Sequence, residues 1–413
     1  MPGGPLDLML IVFACGALLI RVGMGWYAAG QSRSKNAAGA ALRNAADMAV
    51  AALCFWAVGA AIMNGDAGLI FDAKGRATSQ QLAQLVLALI ASAPVVGAVA
   101  ERSRFFPVLA APALLAAIVV PLAGRWAWNG GWLYRMGFID VAGASVIHVA
   151  GGLCAAAGAV LVGARSGKYN RDGSSNFIPG HSAPMASVGV MLTFAGWTPY
   201  VLAATLIPHV HPAALRLSGG TTDPITLSRA ALNVILAAAA GAIVAAILTR
   251  AKYGKPEIML TYSGLLGALA AISAAGGAVT TIAAVVVGAV AGVIVPLATV
   301  QLDLVWKLDD PVGGVAIHVF GGAWGTIAAG IFIPAATYGA KFRDVGVQIL
   351  GLAVIGALSL ALSLAAFALL KRIVGLRLSD GAEWDGVDLA EHDLNAYPDF
   401  QQTMIKSYHL REA

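Results

Sequence analysis

Two histidines in a strongly apolar chain are the residues best suited to do chemistry. One closes the run FIDVAGASVIHVAGG (138–152) and the other lies in LDDPVGGVAIHVFGG (308–322). His148 follows Asp140, and His318 follows Asp310, at the same spacing, and each histidine leads into Val-x-Gly-Gly. A neutral imidazole has one donor and one acceptor nitrogen. Two rings can therefore share one hydrogen bond and leave their other nitrogens facing a passage. A single histidine among apolar residues can be a packing residue with one satisfied hydrogen bond, but two at matched positions point to a pathway. Neither has a Cys, Asp or Glu one helical turn away on its own face, so the pair does not read as a metal centre.

The elements that must carry these rings follow from composition. With 59% hydrophobic and 11% charged residues and a mean hydropathy of +0.79, the chain cannot hide its apolar surface in a soluble globule. Eleven aliphatic runs can be placed near 6–29, 43–64, 82–100, 107–123, 139–163, 182–207, 224–248, 259–276, 278–300, 312–334 and 345–370. Most are about 18–25 residues long, enough to cross a hydrocarbon core as helices. They lack the short alternating pattern of membrane strands. The 49 glycines and many alanines suit close packing of helix backbones in lipid. An all-α polytopic membrane protein is expected. The first run lacks a basic leader and a cleavage pattern, so it reads as a retained span.

Aligning Asp140 with Asp310 superposes His148 on His318, Gly151 on Gly321 and Gly152 on Gly322. The chain is thus read as two five-helix repeats, about 6–163 and 182–334, followed by a last span at about 345–370. An odd number of crossings inserts the second copy upside down. Eight residues of helix carry each histidine about 12 Å inward from its own face, so the two imidazoles are expected to meet near the midplane.

Lys and Arg set the orientation. The loops after odd-numbered spans carry Arg33, Lys35, Arg43, Arg102, Arg104, Arg165, Lys168, Arg171, Arg250, Lys252, Lys255, Lys307, Lys371, Arg372 and Arg377, about twice the number in the opposite set. The N-terminus is expected outside and the C-terminus in the cytoplasm. The net charge of +5 is explained by these loops and argues nothing about nucleic acid. Cys15, Cys54 and Cys154 fall within spans and imply no disulfide. No phosphate-binding loop, dinucleotide fingerprint or nucleophile elbow is present, so neither an enzyme nor a cofactor is expected.

At these residues the sequence resembles the ammonium transporter (Amt/Mep/Rh) family. DDPVGGVAIHVFGGAWGTIAAGIF (309–332) is the most specific match, supported by GMGWYAAGQSRSKN (23–36), GAVAERSRF (97–105), WNGGWL (128–133), APMASVGVMLTFAGW (183–197) and KPEIMLTYSGLLGALAAIS (255–273). The resemblance implies a homotrimer in a bacterial inner membrane, each protomer with a hydrophobic pore lined by His148 and His318. It also implies capture of ammonium outside, deprotonation there, and passage as ammonia. Trp128 matches the recruiting tryptophan, and Asp140 and Asp310 take structural or deprotonation roles.

The family pattern also fails at particular positions. The outer gate aromatic falls on Leu87, the inner gate on Tyr200, and the serine of the recruitment site on Ala204. Losing one π-face and one hydroxyl weakens capture, and Thr205 is one position off. The Tyr200 hydroxyl adds a polar tip at the pore mouth. These departures keep two functions in view: a transporter, and a sensor that binds ammonium but conducts poorly. Arg21 places a charge within the first span, with snorkelling, pairing with Asp140 or a buried carbonyl, and a water-filled cavity all open.

Residues 1–378 are read as the transmembrane domain and 379–413 as a cytoplasmic tail. DGVDLAEH (385–392) resembles the family's C-terminal segment, whose acids could pair with inner basic loops such as Arg250–Lys255. A nitrogen-regulatory signal protein is the partner the resemblance suggests for this tail. His209 and His211 form an H-x-H pair that lacks further metal ligands nearby, and His181 is expected to be ordinary.

Overall fold

Helix is the regular structure of this chain, and the described residues contain no β-strand, as expected where backbone polar groups must be satisfied without water. In the computed structural model the described residues are 4–65, 78–128, 130–207, 222–335 and 337–398. Among the described residues, nine helices are long and apolar enough to cross a membrane: α1 (Pro5–Gln31), α2 (Ser34–Asn64), α3 (Ser79–Ala98), α4 (Phe105–Met136), α5 (Ala144–Val162), α6 (Ala183–Leu206), α7 (Pro224–Tyr253), α9 (Thr281–Leu304) and α11 (Gly339–Ile373). Two shorter apolar helices, α8 (Ile258–Ile272) and α10 (Ala316–Phe332), occupy the places of the eighth and tenth expected crossings. His209 and His211 lie outside the described residues.

Small residues let the backbones touch. In α1 and α6, which open the two repeats, a Cβ on Gly23 would meet the Gly189 carbonyl at 2.5 Å, and one on Gly189 would meet the Gly23 carbonyl at 2.6 Å. Such contacts replace the hydrophobic driving force that helices lack in lipid.

The third helix of each repeat stops short, and the chain that delivers a histidine enters at the break. Past the end of α8, the Ser273 and Ala274 carbonyls accept from Ala142 at 2.8 Å and Val141 at 2.9 Å. Past the end of α3, Glu101 adopts φ +71, and Arg102 Nη2 donates to the Asp309 carbonyl at 2.7 Å. Beside it, Arg165 holds the Asp309 carboxylate through Nε at 2.9 Å and Nη2 at 2.8 Å. Burial pushes the Asp309 carboxyl up, but Arg165 and Arg102 outweigh it and bring it down to about 2. Glu101 completes the cluster, accepting from the Arg33 backbone at 3.0 Å and from Arg165 at 3.3 Å.

The charge at Arg21 finds a different partner from Asp140. Its guanidinium pairs with Asp47 of α2 and donates to the carbonyls of Leu89 at 2.9 Å and Asn44 at 3.0 Å. Ser92 of α3 donates to the same carboxylate at 2.9 Å. An ion pair completely removed from water is tolerable only with such supplementary hydrogen bonds, and this one ties three helices together.

The tail docks elsewhere than at Arg250–Lys255. Its short helices α12 (Asp380–Asp385) and α13 (Val387–His392) lie against the start of α2. Asp388 accepts from the Ala38 and Gly39 amides at 3.0 and 2.6 Å, satisfying orphan donors at a helix N-terminus. Glu391 pairs with Arg43 at 2.7 Å and accepts from the Phe105 amide at 3.0 Å. Glu383 pairs with Arg377 at 2.6 Å. His181 is less ordinary than its position suggested, because its Nε2 meets the Tyr397 hydroxyl of the tail at 2.6 Å.

Candidate functional site

Each histidine sits on a widened helical turn. Ala144–Val149 and Ala316–Phe320 are π-helical, and α5 and α10 continue as ordinary α-helix beyond them. A π turn re-aims a side chain without ending the helix, and such turns recur at functional sites. The start of each helix is fixed by its aspartate. Asp140 Oδ1 accepts from the Ala144 amide at 2.6 Å, and its Oδ2 from Ser145 at 3.0 Å and Val146 at 2.9 Å. Asp310 repeats this with Val312 at 3.3 Å and Val315 at 2.7 Å. Between aspartate and helix stands a glycine in the left-handed region in both copies, Gly143 (φ +80) and Gly313 (φ +66). Both carboxylates therefore spend their acceptor oxygens on backbone N–H groups, as capping residues do.

The Gly-Gly pairs explain how two bulky helices come so close. A Cβ on Gly151 would run into the Ala91 carbonyl of α3, and one on Gly321 would lie 2.7 Å from the Gly267 carbonyl of α8. One on Gly152 would meet the His318 Cβ at 3.0 Å, and one on Gly322 the His148 Cβ at 3.3 Å. Each histidine therefore packs over the glycine of the opposite repeat.

The two rings face one another and share a hydrogen bond between their Nδ1 atoms at 3.1 Å. Their centroids are 5.1 Å apart and their planes 30° from parallel. Both side chains are buried, and His148 Nε2 has no hydrogen-bond partner among the described residues. A cavity of about 30 Å³ opens against His318, lined among others by Met24, Tyr27, Pro94, Trp197 and Val312. It has room for about two water-sized molecules. A small neutral solute fits such a place, whereas a cation would lose its hydration there.

The remaining residues singled out from sequence are distributed around this pair. Tyr200 lies 6.1 Å from the His148 ring, centroid to centroid, and its hydroxyl donates to the Ala142 carbonyl. Trp128 donates its indole N–H to the Asp140 carbonyl at 2.7 Å. Leu87 and Ala204 are buried apolar members of the core and offer no polar atom. Thr205, the displaced hydroxyl, is donated at 2.8 Å to the Val201 carbonyl of its own helix.

Three contributors carried no chemical signal of their own. Trp197 stacks on His148 at 5.0 Å and 19°, and its N–H is held by the Ser273 hydroxyl at 3.0 Å. Gln348 of α11 clamps the peptide before Asp140, accepting from the Ile139 amide at 2.9 Å and donating to its carbonyl at 2.6 Å. An intramembrane glutamine is the feature that could have drawn attention, since a buried polar group needs partners; nothing in sequence tells what those partners are.

The sequence profile of the Ammonium Transporter Family matches residues 8–397. The chain belongs to the ammonium transporter family. Among relatives, it is 34% identical to ammonium transporter Amt2 of Archaeoglobus fulgidus, over 97% of this chain and 90% of that one. It is 31% identical to ammonium transporter Amt1 of Haloferax mediterranei, over 95% of this chain and 79% of the relative. A solved structure titled "Sensor Amt Protein" superposes with a TM-score of 0.86 at 34% identity, covering 94% of this chain and 98% of the other. Mep2 of Candida albicans shares the fold, with a TM-score of 0.78 at 21% identity, over 91% of this chain and 86% of that one. As a member of this family, the chain is a multi-pass membrane protein and not an enzyme.

Proposed function

We propose that this protein carries ammonium nitrogen across the membrane, and that His148 and His318 line the passage. The observation that carries the reading is the Nδ1–Nδ1 hydrogen bond between two buried imidazoles, beside a small and mostly apolar cavity. Ammonium is recruited near Trp128, with Tyr200, Ala204 and Leu87 at the mouth in place of the aromatic and hydroxyl groups usual there. It gives up its proton at the mouth, the proton being left outside or carried separately, and crosses as ammonia. Neutral ammonia loses little on entering an apolar bore, whereas Na⁺ and K⁺ pay a large desolvation cost, so chemistry as well as size excludes them. The imidazoles give a polar molecule hydrogen-bonding stations where the walls give none. Asp140 and Asp310 serve this passage by holding the histidine helices.

The protein works as a homotrimer in a bacterial inner membrane, with its N-terminus outside and its tail in the cytoplasm. Basic residues concentrated in the loops after odd-numbered spans support that orientation. The tail, docked on the same side as Arg43 and Arg377, offers a cytoplasmic surface to a nitrogen-regulatory signal protein.

A second reading, an ammonium sensor that conducts poorly, is favoured by the 34% identical structure titled as a sensor and by Leu87 and Ala204. Growth separates the two. In a strain lacking its own ammonium uptake, the protein is expected to restore growth on limiting ammonium, and His148→Ala to abolish that rescue. Absence of rescue by a well-expressed protein whose tryptophan fluorescence still responds to ammonium would establish the sensor.

A further inference from the structure

We propose that the Tyr200 hydroxyl is a latch on the mouth of the passage: its hydrogen bond to the Ala142 carbonyl holds the ring across the approach to His148 and must break for each passage. The inference rests on the transport reading above. Tyr200 is fully buried, and its hydroxyl is the partner of the Ala142 carbonyl among the described residues. Ala142 is no passive neighbour. It lies between the capping Asp140 and Gly143, where the His148 helix begins, and its own amide donates to the Ser273 carbonyl at 2.8 Å.

Ser273 in turn holds the Trp197 indole at 3.0 Å, and Trp197 and Tyr200 are one turn apart on α6, their rings 5.7 Å apart and 78° from parallel. Tyr200, Ala142, Ser273 and Trp197 thus close a circuit of contacts that joins three segments around His148. The cavity beside the pair is lined by His318 and Trp197 and by neither His148 nor Tyr200, and among the described residues the buried His148 Nε2 has no hydrogen-bond partner.

A phenylalanine ring would fill the same space but could not hold the carbonyl. The ring can leave its place only when the bond is broken. A neutral hydrogen bond of ordinary net strength corresponds to a factor of about two to ten in rate, and that is the brake assigned to the hydroxyl. Tyr200 acts on passage through its neighbours and is a positioning residue.

The test compares the protein with Tyr200→Phe in proteoliposomes, reading the maximal ammonium-evoked current or, where passage is electrically silent, the rate of lumenal pH change in its place, and in detergent, reading the melting temperature. A latch predicts that the variant carries about two to ten times more current while melting at a lower temperature. A hydroxyl that only stabilises the fold would lower both. Equal or smaller current in Tyr200→Phe, from a parent that conducts, overturns the latch and leaves the transport reading intact. A silent parent with a conducting variant supports the latch in its strongest form. If neither gives a current or a lumenal pH change, the transport reading has failed, and the latch with it.

Discussion

Gly152 of α5 lies directly beneath His318 of α10: a Cβ added to the glycine would stand 3.0 Å from the histidine Cβ and 2.9 Å from the Val319 amide nitrogen. The backbone nitrogen cannot swing aside as a flexible side chain could. Gly152→Val is therefore expected to push α10 away from α5 at an overpacking cost of about 1–3 kcal/mol. If that cost falls on the imidazole contact, ammonium-dependent current drops by about tenfold or more, while Gly381→Ala, where an added Cβ meets nothing within 4 Å, leaves the current unchanged. Currents measured in proteoliposomes check both.

The Arg21–Asp47 pair makes a prediction about stability alone. Arg21→Ala leaves a buried carboxylate without its partner and is expected to cost about 3–5 kcal/mol. Replacing both, Arg21→Met with Asp47→Leu, should recover most of that loss, because the desolvation of two charges disappears with them. Thermal melts in detergent test this, and a single variant as stable as the parent would show that the pair is not held as described.

Asp309 gives the pH dependence. Its carboxyl is brought down to about 2 in the folded protein, from about 3.9 in an unfolded chain. A depressed folded value means a contribution that is complete above the unfolded value and is lost as pH falls through the folded one. Melting temperature should therefore lose this contribution between about pH 4 and pH 2, and Asp309→Asn should be less stable than the parent at neutral pH but converge on it in acid.

Docking of the tail predicts a local effect. Asp388 accepts from the Ala38 and Gly39 amides, so Asp388→Ala removes a cap worth about 0.5–2 kcal/mol. Hydrogen exchange at the first turn of α2 should accelerate by roughly two- to thirtyfold, with the exchange of α5 and α10 unchanged. Uniform acceleration would mean that the aspartate supports the whole fold and not this helix end.

The histidine pair was legible in sequence because burial in lipid leaves so few reasons for a polar residue, and because duplication repeated it at matched spacing. The Val-x-Gly-Gly that follows each ring was visible as a pattern but not as a mechanism. Only the geometry shows that one glycine of each pair admits the neighbouring helix and the other admits the opposite histidine. Arg21 was conspicuous, yet its partner Asp47 sits on the next helix among ordinary polar residues, and no local spacing links them. The tail's acids were equally legible as charges, while the choice of Arg43 over Arg250 or Lys255 depends on which loops the bundle brings beneath it. Trp197 and Ser273 were hidden for a simpler reason: one is a tryptophan at the end of an apolar run, and the other is one small residue among many.

The current evoked by an ammonium jump in proteoliposomes tests the paired imidazoles most directly. The parent is expected to give a current or a lumenal pH change with ammonium and none with an equal jump of K⁺, and His148→Ala and His318→Ala, folded as judged by their melts, are expected to give none with either. Undiminished ammonium signals in both variants would contradict the account.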